Sequence, residues 1–332
     1  MNEKELKTWD ALIVGGGLAG LSAAIYLGRA MRSALVIDNG KPMARWEPDV
    51  QNYLGFPDGI SGGDLIANGH KQAERFEVAF AEDEIMEASR EENGPFVLRG
   101  RKASYRGKKL LLATGIFHIP PDIEGVTECL GHSMFFCKDC DGYRVQDKHI
   151  AIYGAGNEAV RYALGMLVYS ATVVIVTNGH RISWDARHAA WLEEHHIPVF
   201  KEPIRSVDHR ERQIEHLTLE NGCKVNIDVL FTTRGDVYHN KLADSLGAKV
   251  SPEGEIVIDG DQRTTVRGLY AAGCVTPANC QMIIAAGQGA VAAQTINRDL
   301  FDESLETHSL RRLRSRQMDS EQTVPDVTFQ PV

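Results

Sequence analysis

The sequence predicts an α/β fold of two Rossmann-like, dinucleotide-binding βαβ units, the second inserted into the first. Three observations predict it. An apolar run that ends in glycines and passes into a helical pattern occurs twice, at 11–27 and at 149–167. A stretch of glycine and small residues around a strand and a helix, 268–293, returns to the character of the first unit. Finally, 332 residues exceed the roughly 250–300 at which a single core divides.

In the first unit, Ala11-Leu12-Ile13-Val14 reads as a strand entering Gly15-Gly16-Gly17-Leu18-Ala19-Gly20, and Leu21, Ile25 and Leu27 then continue as a helix. Gly15 permits the tight turn, Gly17 lets backbone approach a pyrophosphate, and Gly20 lets helix pack on strand. Leu18 and Ala19 open the helix, whose unpaired N–H groups favour an anion. A second strand, Ala34-Leu35-Val36-Ile37, ends at Asp38, a carboxylate placed to accept from the ribose of a dinucleotide without a 2′-phosphate.

After the apolar run Lys109 to Ala113 comes Ala113-Thr114-Gly115. Ile119-Pro120-Pro121 then stiffens the path, so the chain is expected to cross between domains near 116–121. The expected division is 1–118 with 240–310 as one discontinuous domain, 119–239 as the inserted one, and 311–332 as a tail. In the insert, His149 to Tyr153 leads into Gly154-Ala155-Gly156-Asn157-Glu158-Ala159. The following strand, Thr172 to Val176, ends at Thr177-Asn178-Gly179 with no acid at its tip. A second nucleotide would meet Gly154, Gly156, Asn157, Glu158, Asn178 and Arg181.

Of six cysteines, only Cys137 and Cys140 have a diagnostic spacing. Two intervening residues let the sulfurs join, and thiols so placed often have a lowered pKa. Zinc would need four ligands, no second such pair exists, and no metal is expected. Asp141, directly after the pair, is a candidate proton donor to the leaving thiolate. Cys129, Cys223, Cys274 and Cys280 read mostly as small buried hydrophobes.

The net charge of −9 argues against nucleic acid or an anionic membrane as partner. Charges at Glu3, Lys4, Glu5, Lys7 and Asp10 leave no secretory signal, and no apolar run approaches the roughly 20 residues of a membrane span. A cytoplasmic protein is expected.

GGGLAG at 15–20, NYLGFPDGISG at 52–62, ATG at 113–115, CKDCDGY at 137–143, GAGNEA at 154–159, AAGCV at 271–275 and QMIIAAGQG at 281–289 stand in an order that resembles the low-molecular-weight thioredoxin reductases, the class II pyridine nucleotide-disulfide oxidoreductases. The resemblance covers roughly residues 10–300. It implies FAD held by the glycine turn, Asp38, Asn52, Ala113, Thr114, Gly115, Gly273, Cys274, Gln281, Met282 and Ile283. It further implies a homodimer, with Cys140 against the flavin, Cys137 attacking an external disulfide or dithiol of a small molecule or thioredoxin-like protein, and Asp141 as acid.

Two departures qualify it. The family has an acid after the glycine of AAG, where this chain has Cys274, a thiol and a weak hydrogen-bond partner. The family's His-Arg-Arg run for NADPH is missing after Thr177-Asn178-Gly179, leaving only His180 and Arg181. Each lost charge-assisted contact is worth about 1.5–3 kcal/mol, so NADPH is not expected to bind well. The chain thereby resembles the diflavin-linked disulfide oxidoreductases, with a second FAD in the nicotinamide site, or the ferredoxin-dependent thioredoxin reductases. Arg311, Arg312, Arg314 and Arg316 could meet an acidic donor such as ferredoxin, and Phe329 could stack on flavin. A dithiol oxidase discharging to oxygen and a non-enzymatic flavin redox sensor remain the alternatives.

Overall fold

A computed structural model describes residues 6–92, 94–233 and 235–310; Arg311, Arg312, Arg314, Arg316 and Phe329 lie outside the described residues. Strand β1 (Thr8–Val14) feeds helix α1 (Leu18–Arg29), which returns to β2 (Ala34–Asp38). Helix α2 (Gly62–Glu74) leads to β3 (Ala79–Glu82), and β4 (Ile85–Arg90) and β5 (Phe96–Gly100) run antiparallel before β6 (Ser104–Leu112). These strands form one sheet in the order β3-β2-β1-β6-β5-β4.

Alternate residues of β1 enter different cores, as strand geometry requires when both faces are covered. Ala11 and Ile13 join Ala23, Ala24 and Leu27 of α1, whereas Leu12 and Val14 join Leu110 and Leu112 on the opposite face. That explains an apolar run without polar alternation.

From β6 the chain passes through β7 (Ile116–His118), β8 (Met134–Phe135) and the short helix α3 (Lys138–Asp141). A second βαβ unit follows: β9 (Ile150–Tyr153), α4 (Asn157–Met166) and β10 (Val173–Val176), then α5 (Ala186–Glu194) and β11 (Val199–Phe200). The antiparallel strands β12 (Ile204–Arg210), β13 (Gln213–Leu219) and β14 (Lys224–Asn226) precede β15 (Val229–Thr232). The parallel order β11-β10-β9-β15-β8 makes the second sheet, with the β12–β14 layer in the core of one face and α4 and α5 in that of the other.

Strand β16 (Asp236–Tyr238) pairs antiparallel with β7, setting Asp236 opposite His118. Thr114 Oγ1 donates to the His239 carbonyl at 2.7 Å, and His239 N–H donates to the Gly115 carbonyl at 3.2 Å. The outward and returning passes of the chain are thus fastened to each other. Helix α6 (Lys241–Ser245) and β17 (Leu269–Ala271) follow, and β17 pairs with the last residues of β6. Helix α7 (Met282–Glu306) packs Ala292, Ala293 and Ile296 into the α1 core. The α/β fold with two parallel-strand, Rossmann-like sheets is as the sequence predicts. Among the described residues no helix is long and apolar enough to cross a membrane.

Candidate active site

Val14, Leu112 and Ala271 are in register at the carboxyl ends of β1, β6 and β17. The loops that follow, beginning at Gly15, Ala113 and Ala272, therefore emerge side by side, where open parallel sheets bind ligands. Gly15 sits at φ +110°, and a Cβ there would lie 2.2 Å from the Ala113 carbonyl oxygen. A Cβ on Gly20 would lie 1.9 Å from the Gly15 carbonyl oxygen. At Gly17 the same construction meets no protein atom within 4 Å. Two glycines are thus demanded by the chain itself, and the third faces open space.

No side chain caps α1, so the first-turn N–H groups, at Leu18, Ala19 and Gly20, are left for a ligand. Asp38 Oδ2 accepts the Gly16 N–H at 2.5 Å and Oδ1 accepts the Gly40 N–H at 2.6 Å. Each oxygen keeps a lone pair for a hydroxyl. Gly115, at φ +65°, also borders open space, and the Gly273 N–H donates to Gln288 Oε1 at 2.8 Å. Met282 and Ile283 begin α7 with Gln281 as its N-cap, again without a capping side chain.

Gln281 turns instead to sulfur. Cys137 and Cys140 form a disulfide with Cα atoms 5.3 Å apart, and Gln281 Nε2 donates to Cys140 Sγ at 3.2 Å and Cys137 Sγ at 3.4 Å. Its Oε1 accepts from Asn52 Nδ2 at 3.0 Å. Cys137 Sγ also accepts the Cys140 backbone N–H at 3.1 Å, a contact that would steady a thiolate there. The pair, carried by the second sheet, is therefore held against the helix start of the first.

Asp141 is 4% exposed, and its carboxyl is pushed up to about 7 by burial and then by the Glu47 carboxylate, against the pull of Arg144 at 3.2 Å. Burial also raises Glu47, with Arg144 and His118 opposing. Glu47 and Arg144 lie in no motif, and only the folded arrangement reveals their action on Asp141. The contact of Gln281 with the sulfurs was equally invisible, because it joins residues from opposite ends of the site.

One expectation fails outright. Cys274 is not a thiol but is bonded to Cys280, with Cα atoms 4.9 Å apart, so it carries no proton to share. Cys280 and Cys223 are exposed and Cys274 is half-buried, leaving Cys129 alone of the four as a buried small residue. Spacing gave no warning, since the bridge depends on the turn between β17 and α7 bringing its ends together.

The second glycine turn is built differently. A Cβ on Gly154 would lie 2.3 Å from Thr233 Oγ1, and one on Gly156 would lie 3.5 Å from Ser183 Oγ. Asn157 and Asp185 bind each other, at 3.1 Å through the Asn157 amide and at 2.9 Å through the Asp185 N–H. Asn178, at φ +50°, donates to Tyr153 Oη at 3.2 Å and accepts the Ile204 N–H at 2.6 Å. Its side chain holds the strand end together. Glu158 and Arg181 are exposed.

The family model for pyridine nucleotide-disulphide oxidoreductases matches residues 9–293. The chain is 27% identical to the thioredoxin reductase of Bacillus subtilis (strain 168), over 91% of this chain and 99% of that one. It is 31% identical to the thioredoxin reductase of Treponema pallidum (strain Nichols), over 86% and 95%. The solved structure of TrxB from Bacillus anthracis superposes with a TM-score of 0.82 at 27% identity, covering 89% of this chain and 99% of that one. With a closed Cys137–Cys140 pair set beside a glycine turn open to a dinucleotide, the chain belongs to the pyridine nucleotide-disulphide oxidoreductase family and is a flavin-dependent disulfide oxidoreductase of thioredoxin-reductase type.

Proposed function

We propose that the chain exchanges electron pairs between one bound FAD and the Cys137–Cys140 pair, and through that pair with an external disulfide, without a pyridine nucleotide. The observation that carries this is the Gln281 side chain lying on both sulfurs at the start of α7. Residues 1–118 with 240–310 would form the FAD domain and 119–239 the insert.

The residues present fit FAD. Gly17 leaves room for the pyrophosphate, the first turn of α1 offers N–H groups to it, and Asp38 would take the ribose. Asn52, the 113–115 loop, Gly273, and Gln281 to Ile283 would line the flavin end, where the Cys274–Cys280 bridge replaces the family's acid. Bound there, FAD supplies two-electron storage. Cys137 would attack the external disulfide, and Cys140 would close the pair again. Asp141, poised near 7, would hold the proton for the leaving thiolate.

For the inserted unit, this reading rests on the acids. Glu158 and Asp185 flank the turn that a pyrophosphate would approach, Asn157 and Asn178 each spend a donor and an acceptor on the chain, and no basic run follows β10. This supports neither NADPH nor a second FAD. Relatives named thioredoxin reductases support a thioredoxin-like protein disulfide as substrate. A protein dithiol or an acidic carrier such as ferredoxin would supply electrons, and a homodimer is the expected assembly.

Heat release of cofactor from the purified chain should yield one FAD per chain. Under anaerobic conditions dithiothreitol should bleach it within the dead time of manual mixing while NADPH should not. Rapid bleaching by NADPH, or two flavins per chain, would refute this reading.

A further inference from the structure

The Cys274–Cys280 bridge spans the turn that joins β17 to α7. The next residue, Gln281, touches both sulfurs of the Cys137–Cys140 bridge. Two cystines thus meet at a single residue, one bonded to its backbone and the other resting on its side chain.

Hydrogen bonds also shape each end of the turn. The Thr276 N–H donates to the Gly273 carbonyl at 2.9 Å, Thr276 Oγ1 donates to the same oxygen at 2.8 Å, and the Gln281 N–H donates to the Asn279 carbonyl at 2.8 Å. A structural disulfide is also ordinarily buried, whereas Cys280 is exposed, and exposed bridges are the labile ones.

We propose that Cys274–Cys280 is a second exchange-active disulfide, in series with Cys137–Cys140, so that for a protein substrate the exposed Cys280 sulfur takes over from Cys137 the attack on the external disulfide. This rests on the reading that Cys137–Cys140 cycles between dithiol and disulfide. With that pair reduced, one of its thiolates attacks Cys280 Sγ. The Cys274–Cys280 bond breaks, a mixed disulfide forms, and Cys274 leaves as a thiolate that takes up a proton. The remaining thiol of the first pair loses its proton and attacks its partner sulfur, so the Cys137–Cys140 bond forms and Cys280 is released as a thiolate and protonated. One dithiol is oxidised, one disulfide is reduced, and two electrons and two protons change hands with no further reactant. Gln281 follows Cys280 directly in the chain and touches both sulfurs of the first pair, while its Oε1 is held by Asn52.

Trapping in the full chain tests this without relying on turnover. In a Cys223→Ser background, Cys137→Ser/Cys274→Ser keeps Cys140 with Cys280, and Cys140→Ser/Cys274→Ser keeps Cys137 with Cys280. Each protein is oxidised with diamide, its fold checked by circular dichroism, and its disulfides mapped by peptide mass spectrometry. A bond from Cys280 to Cys140 or to Cys137 in more than half the chains of one variant is expected. Two folded variants that both keep Cys280 alkylatable would overturn the proposal. Failure of the flavin reading would appear separately, as a colourless wild-type protein, and would leave the cross-link unchanged.

Discussion

The Asn52 amide donates to Gln281 Oε1 at 3.0 Å across 229 positions of sequence, and the other end of that Gln281 amide lies on the Cys137–Cys140 sulfurs. A single carboxamide therefore joins the loop after β2, the start of α7 and the redox pair. Gln281→Ala should lower disulfide turnover about tenfold, the equivalent of about 1.4 kcal/mol and the scale of one hydrogen bond. Steady-state kinetics beside a thermal melt checks this. Because Gln281 is outside every core cluster, the melt should scarcely move.

Asp141 should make activity and stability respond oppositely. Its folded carboxyl titrates at about 7, above the ordinary value of 3.8, so between those pH values the folded chain holds a proton that the unfolded chain has released. Stability attributable to this group is therefore present below about pH 4, falls as pH rises towards 7 and stays lost above it, by at most about 1.4 kcal/mol for each pH unit crossed. Asp141→Asn should melt higher than wild type at pH 8, with the gap closing at pH 4. Its turnover should fall by about 100-fold and lack the decline through pH 7 expected of the wild type.

Two glycines of one turn should fail in different ways. Gly15→Ala forces a side chain into positive φ and against the Ala113 carbonyl, so it should cost several kcal/mol or prevent folding. Gly17→Ala meets no protein atom and should leave the melting temperature of the flavin-free chain unchanged. It should nevertheless weaken FAD retention at least tenfold, measured by equilibrium dialysis.

Thiol counting separates the cysteines. Alkylation of the folded, unreduced chain should label Cys223 within minutes and Cys129 only after denaturation, since burial pushes the Cys129 thiol up and hides it. Two labels in total are expected before reduction and six after it, read by intact mass.

Tyr270 is fully buried, with its hydroxyl donating to Asp299, which also accepts from Arg263 Nε and Nη2. Asp299→Ala leaves that hydroxyl without its partner and should destabilise the chain by about 2–4 kcal/mol in chemical denaturation.

The strand–glycine–helix turns, the place of Asp38 at the end of β2, the closing of Cys137 with Cys140, and the packing of β17 and α7 against the first sheet could be read in advance because each is a local pattern with one physical meaning. Glu47 could not, since its influence on Asp141 passes through space between segments that share no motif. Cys274 misled for a related reason. Judged by residue type it is a thiol, and only the turn geometry supplies its partner. Asn178 shows the converse case: a polar residue at a strand tip suggests a ligand, but here its amide also bonds the Ile204 N–H and the Tyr153 hydroxyl.

The pairing of His118 with Asp236 has a consequence for how such a chain can fold. The segment between them starts and finishes at one spot, so once it has collapsed it presents the remainder with a connection only a few residues long. Bringing β17 to β6 then closes a loop of about 40 residues rather than about 160, which lowers the entropic cost by about 1 kcal/mol. Docking of β17 and α7 on the first sheet would accordingly be favoured once the insert has formed, and lesions that slow the insert should delay that final step.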